Sequence, residues 1–337
     1  MRCLLNVFLI FNILSSTTSV GTTFVCTYVH NTKKVITPNL YVLGDSLSDD
    51  GSMANILTHD SYKFDNVNFQ TPFYHNSCTD GNVAAQVAVE SLGTTLIPAW
   101  DNRNHVVGNN YAVDGAQAGE NNTLQYRFFL NHYSLANQTD YLLKQHKLKK
   151  TDDILIVIGG DDLIYAVEKK SKLEQDLVIS NAITNEINSI ETLINNGGQN
   201  FIIANPPDIS KIPRFLNTSQ AQTAAEISSR FNFSWKIAMH ALGNIYHKTN
   251  IYPYDLYEKF NTLLTKAKSI GKNTTQASIK WNTLNLLLNE QPKYINNISA
   301  KTIDNDFFFD DVHPNKWAHK HVGMDLAHIF KEINLKD

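Results

Sequence analysis

The sequence predicts a single α/β domain in which helices cover both faces of a parallel sheet. Three observations predict it. Apolar runs of strand length recur at Asn39–Leu43, Asp153–Ile158 and Phe201–Ala204. Helical periodicity fills the intervals, most plainly through Ile179, Ile183, Ile187, Ile190 and Ile194. Glycine and polar clusters follow the runs at Gly44–Ser46, Gly159–Asp162 and Asn205–Asp208. Strands buried on both faces read as continuous apolar runs rather than alternating ones. Strands separated by helices pair in parallel, because a parallel pair needs a crossover connection.

The elements justify themselves in chain order. Met1-Arg2 supplies a positive charge, Cys3–Leu14 is apolar, and Ser15–Gly21 is small and polar. That profile predicts an export signal over residues 1–21, since the apolar stretch suits a signal core and is short for a bilayer span. A polar lead follows over 22–38, and residues 39–337 read as one domain of a secreted, extracellular or periplasmic protein. Asn39–Leu43 is a strand stopped by Gly44. Val83–Leu92 is a helix closed by Gly93, and Asn109–Val113 is a weaker strand ending at Gly115-Ala116. The strand Asp153–Ile158 and the isoleucine-striped helix come next, with Gly197-Gly198 ending the helix. Phe201–Ala204 is a strand stopped by Pro206-Pro207. Ser219–His247 is helical, Ile251–Tyr254 an edge strand, Asp255–Ser269 helical, and the segment from Asn315 onward an amphipathic helix.

Composition narrows the function. The 337 residues carry a net charge of −3, which offers no basic field for nucleic acid. With Cys3 in the signal, Cys26 and Cys78 remain, either as a disulfide or as two separate thiols. Neither has metal-ligand spacing. Searches for a Gly-x-Ser-x-Gly elbow, a His-Glu-x-x-His helix, a phosphate-binding loop and a dinucleotide fingerprint find nothing, so the chemistry calls for no metal or cofactor.

Two segments carry chemistry. Gly44-Asp45-Ser46-Leu47-Ser48-Asp49 puts a serine on a strand-ending turn, where its hydroxyl is accessible and backbone N–H groups lie nearby. Asp310-Asp311-Val312-His313-Pro314 puts a carboxylate three residues before an imidazole, close enough to fix its tautomer. Each alone has an ordinary structural reading, a helix-capping turn and a solvated acidic loop.

Together with Gly108–Ala116, Gly159-Gly160-Asp161-Asp162 and Asn205-Pro206-Pro207-Asp208, their order and spacing resemble the GDSL (SGNH) hydrolases over roughly Asn39–Phe330. The resemblance implies a three-layer α/β/α sandwich, flavodoxin-like, with a mainly parallel five-stranded sheet. It implies that Ser46 attacks an ester carbonyl, that His313 is the base and that Asp310 orients His313, with Asp311, Asp306 and Asp304 as rivals. The oxyanion hole would comprise the N–H groups of Ser46 and Gly115 and a side chain from the third block. There the family has asparagine and this chain has Asp161, which donates only when protonated. That departure implies modest activity and an optimum shifted towards mild acidity. Trp317 could line an acyl pocket or pack the core. His319, His321 and His328 read as surface or packing residues. The likeness is greatest to bacterial phospholipases A, lysophospholipases and glycerophospholipid–cholesterol acyltransferases. It implies a phospholipid or other acyl-ester substrate met at a membrane or micelle surface; Leu124–Tyr141, rich in Leu, Phe and Tyr, could supply an acyl wall or pack the core. Carbohydrate acetyl esterase and lipid-binding pseudoenzyme are the alternatives. The oligomeric state is not legible in the sequence.

Overall fold

The core strands are apolar from end to end because they are buried on both sides, and their alternation divides the core in two. The computed structural model describes residues 39–59, 71–100, 108–120, 123, 129–281, 292–295 and 298–334. The leader, the polar lead, Cys26 and residues 124–128 lie outside them. Pro38–Asp337 is one compact unit.

Strand β1 (Leu40–Gly44) leads to helices α1 (Ser52–His59), α2 (Ala84–Ser91) and α3 (Leu135–Gln145). Strand β2 (Asp153–Val157) is followed by α4 (Gly160–Val167) and α5 (Lys172–Asn195), and β3 (Asn200–Ala204) by α6 (Ala221–Ile245). Strand β4 (Asn250–Tyr254) precedes α7 (Leu256–Ser269), and the chain closes on α8 (Lys316–Asn334). Between α7 and α8, β5 (Asn273–Ala277) pairs in parallel with β8 (Asp306–Phe308), and β6 (Ile279–Lys280) pairs antiparallel with β7 (Lys293–Tyr294).

The main sheet runs β1-β2-β3-β4, all parallel, with Leu40 opposite Asp153, Asp153 opposite Asn200 and Asn200 opposite Asn250. Tyr41, Leu43, Ile154, Ile156, Phe201 and Ile203 pack with residues of α3, α4, α5 and α6. Leu40, Val42, Leu155, Val157, Ile202 and Ala204 pack with α2 and α8. Three layers result, as period-two alternation on a doubly covered sheet requires.

Among the described residues the expected five-stranded sheet is corrected to four strands. Asn109–Val113 does lie beside β1, with Tyr111 N–H donating to the Val42 carbonyl at 2.7 Å and Val42 N–H to that of Asn109 at 2.9 Å. Its pairing to β1 amounts to one isolated bridge, Val42 with Asn110. Gly44 N–H, which a continued ladder would direct to the Tyr111 carbonyl, donates instead to Gln138 Oε1 at 2.8 Å, while that carbonyl accepts from Trp100 Nε1 at 2.9 Å, and the ladder breaks there. At the other edge, β4 carries Pro253 in an exposed position. No helix among the described residues is long and apolar enough to cross a membrane.

Candidate active site

The serine turn is forced by close packing at the end of β1. A side chain at Gly44 would stand 2.2 Å from the carbonyl oxygen of Val157, so only glycine fits there. Asp45 N–H donates to that carbonyl at 3.1 Å, and the chain then turns, with Ser48 and Asp49 N–H donating back to the Asp45 carbonyl. The Asp45 carboxylate accepts from Leu47 N–H at 3.0 Å and tightens the turn. Ser46 stands at its apex, 6% exposed.

Three sequence-predicted residues meet here. Ser46 Oγ lies 2.7 Å from His313 Nε2, and His313 Nδ1 lies 2.7 Å from Asp310 Oδ2. The second oxygen of Asp310 accepts from the N–H groups of Val312 and His313 at 2.9 and 2.7 Å. The hairpin-like turn therefore uses one carboxylate to hold both its backbone and its imidazole. Burial works to raise the Asp310 pKa, but the charge and hydrogen bonds of His313 outweigh it and hold the carboxyl below the usual range. The rival carboxylates are engaged elsewhere. Asp311 forms a two-point bond to Arg214, Oδ2 to Nε at 2.8 Å and Oδ1 to Nη2 at 3.1 Å. Asp306 accepts from Ser278 Oγ, and Asp304 pairs with Lys316.

The Gly115 loop is fastened to the serine turn. Val113 N–H donates to the Gly44 carbonyl at 3.2 Å, and Asp114 N–H to Asp49 Oδ2 at 2.8 Å. Gly115 has φ of +78°, a left-handed conformation that suits glycine. Asp161 sits in the first turn of α4, after Gly159 at φ +111°, and lines the same cavity as Ser46 and His313. Its neighbour Asp162 points away, accepting from Ala118 and Gly119 N–H at 2.9 and 2.8 Å and so tying α4 to the Gly115 loop.

Several carboxyls crowd the imidazole. Burial raises Asp45 to about 7 and Asp162 to about 6. Burial, reinforced by Asp45 and Asp114, raises Asp161 well above the ordinary value. Burial disfavours charge on His313, but Asp310, Asp114 and Asp161 prevail and raise it to about 9. Such an arrangement can pass a hydroxyl proton to the imidazole while a protonated carboxyl remains available as a donor.

The cavity at Ser46 is apolar. Ala204, Ile209, Leu256, Phe260, Val322 and Leu326 are among its walls, so it lies where the carboxyl ends of the strands meet α7 and α8. Trp317 is not among its lining residues and packs on Phe307. The described part of Leu124–Tyr141 does not line it either; Tyr141 stacks on Trp100 and Tyr133 meets that ring edge-on. His319 is buried rather than superficial, accepting from Ala84 N–H at 3.1 Å, and burial lowers its pKa to about 3. Cys78 is a buried thiol donating to Asp114 Oδ2 at 3.4 Å, and the disulfide alternative falls on Cys26, which lies outside the described residues.

Sequence reasoning missed Gln138. Fully buried on α3, it accepts from Gly44 N–H and donates to the Gly44 carbonyl, each at 2.8 Å. A polar residue on the buried side of a predicted helix is the signal that could have found it.

Comparison with known proteins gives one family match, the model for GDSL-like lipase/acylhydrolase, over residues 40–326. No curated protein sequence matches. Among solved structures, the chain is similar to an extracellular lipase from Streptomyces rimosus, 12% identical over 86% of this chain and 99% of that one, with a TM-score of 0.39. An aryl esterase from M. smegmatis is 12% identical over 88% and 99%, TM-score 0.41. A phospholipase A1 from Streptomyces albidoflavus is 12% identical over 87% and 98%, TM-score 0.37.

Proposed function

The chain belongs to the GDSL-like lipase/acylhydrolase family, and from that premise we propose that it is an exported serine hydrolase of lipid esters working through an acyl-enzyme on Ser46. The observation that carries the reading is the Ser46–His313–Asp310 relay opening onto an apolar cavity. Ser46 Oγ attacks the acyl carbon as its proton passes to His313 Nε2. Asp310 holds the ring and stabilises the imidazolium. The oxyanion is received by the N–H groups of Ser46 and Gly115, neither of which donates to an acceptor among the described residues, with protonated Asp161 as the third donor. His313 returns the proton to the leaving alcohol. It then activates water, which breaks the acyl–Ser46 bond and releases the fatty acid.

Phospholipids and lysophospholipids are the proposed substrates, met at a membrane or micelle surface, because the largely apolar wall beside the serine suits an acyl chain. The apolar lining disfavours an acetylated sugar. Transfer of the acyl group to another alcohol is the same chemistry with a different second acceptor. The leader over 1–21 supports export.

A fluorophosphonate probe should label wild-type protein and not Ser46→Ala, and fatty acid should be released from lysophosphatidylcholine faster than acetate from acetylated sugars. Absence of labelling in folded wild type would leave the pseudoenzyme reading. Preference for the sugar ester would replace the lipid by a carbohydrate.

A further inference from the structure

We propose that Cys78, Asp114 and His313 form a binding site for a zinc-type cation that switches the esterase off. One ligand atom from each residue lies within 4.8 Å of the other two. Cys78 Sγ and Asp114 Oδ2 are already 3.4 Å apart. Two ligands on one tetrahedral zinc ion stand about 3.5 Å apart, given metal–ligand bonds of about 2.0 to 2.3 Å. That pair is thus spaced as one edge of such a site, and a His313 nitrogen lying within 4.8 Å of both atoms completes a face by closing in on them. A sulfur, an imidazole nitrogen and a carboxylate oxygen favour zinc and cadmium over magnesium or calcium, which prefer oxygen alone.

The surroundings suit a cation. Cys78 is buried next to the carboxyls of Asp114, Asp310 and Asp49, whose charges oppose a bare thiolate. A divalent ion reverses that sign, since the same carboxylates then stabilise it. Asp114 and His313 are only partly buried and leave an approach from solvent. Binding exchanges the Cys78 S–H bond for a sulfur–metal bond and releases the proton to solvent, with no change of oxidation state. Three protein ligands leave a fourth position for water.

Both ring nitrogens of His313 are committed, Nδ1 to Asp310 and Nε2 to Ser46. Whichever nitrogen the metal takes, the relay is broken. Inhibition therefore rests on the ester-hydrolase reading above, whereas binding does not.

The test uses full-length protein, zinc chloride, cadmium chloride and a magnesium control, with a soluble short-chain ester. Zinc should inhibit wild type, a chelator should restore activity, and magnesium should have no effect. Cys78→Ala should raise the half-inhibitory zinc concentration about tenfold or more, because losing a direct ligand should cost at least what losing an outer partner does. Cadmium should give an ultraviolet thiolate charge-transfer band in wild type and Cys26→Ala, but not in Cys78→Ala. Cys78→Ser serves where the alanine variant melts early. No band in wild type, or unchanged zinc sensitivity in a folded Cys78 variant, overturns the proposal. Cadmium binding through Cys78 in a chain that cleaves no ester would overturn the enzymatic reading and leave the site standing.

Discussion

Asp161 decides how the imidazole and the oxyanion hole share protons. The productive state has neutral His313 and protonated Asp161; moving that proton to His313 gives an ion pair that lacks both the base and the third donor. Since Asp310, Asp114 and Asp161 raise His313 to about 9, the ion pair competes strongly near neutrality. The mildly acidic optimum expected from Asp161 alone is therefore opposed by His313, whose lower limb the carboxyls move upward. Asp161→Asn removes one raising charge from His313 and keeps a donor at every pH. Its lower limb should shift to more acidic pH, and kcat above neutrality should rise about tenfold or more, up to the roughly 10²–10³-fold that a lost oxyanion donor costs. Paired pH–rate profiles on one soluble ester check this, and superimposable profiles would remove Asp161 from the hole. At this scale the sequence was explicit where roles follow from spacing, as for the three-residue offset between Asp310 and His313. It was silent on Arg214, which engages Asp311 from 97 positions away.

Helix α3 shows what an element contributes that no motif announces. Its Gln138 replaces a neighbouring strand's backbone at Gly44, meeting both the N–H and the carbonyl just before the serine turn. Gln138→Leu keeps the bulk and leaves the Gly44 N–H without its partner, so stability should fall by about 1 to 3 kcal/mol. Turnover should fall with it, since Ser46 is two residues away. Urea denaturation and kcat measured together check both effects; an unchanged midpoint with unchanged turnover would contradict the brace. The sequence concealed α3 because LANQTDYLLKQ is more than half polar and buries Gln138 and Thr139 as well as Leu135 and Leu142. Helices α1 and α4, eight residues each, follow directly on the glycine turns at Gly51 and Gly159 and read as part of them, whereas α2, equally short, stands apart from both turns and is closed by Gly93. The polar NTTQA of β5 and the three residues of β8 lack any alternation to read. The core strands and the helices α2, α5, α6, α7 and α8 were legible because burial on a regular lattice leaves a periodic trace.

At the scale of the molecule, the serine and its cavity belong to different layers, brought together only by the stacking of helices on the sheet ends. Val322 of α8 and Phe260 of α7 face the same space, although 62 residues separate them in the sequence. Sequence reading placed the polar rim at the strand ends but did not single out the apolar walls, because those walls also serve as core. Val322→Phe should narrow the space and lower kcat/KM for a long-chain ester about tenfold relative to a butyrate ester, at the usual 1–3 kcal/mol for such a steric change. Equal losses on both esters, with an unchanged melting point, would disconnect the cavity from acyl length. The edge strand on that sheet has a consequence of its own. Asn250 N–H points inward to the Gln199 carbonyl, so by alternation the backbone nitrogen of Pro253 points outward. Proline is tolerated there because β3 loses no bond, and the outward side is short of a donor. A strand from another copy therefore cannot zip along the described sheet at β4, which guards a crowded protein solution against cross-β growth.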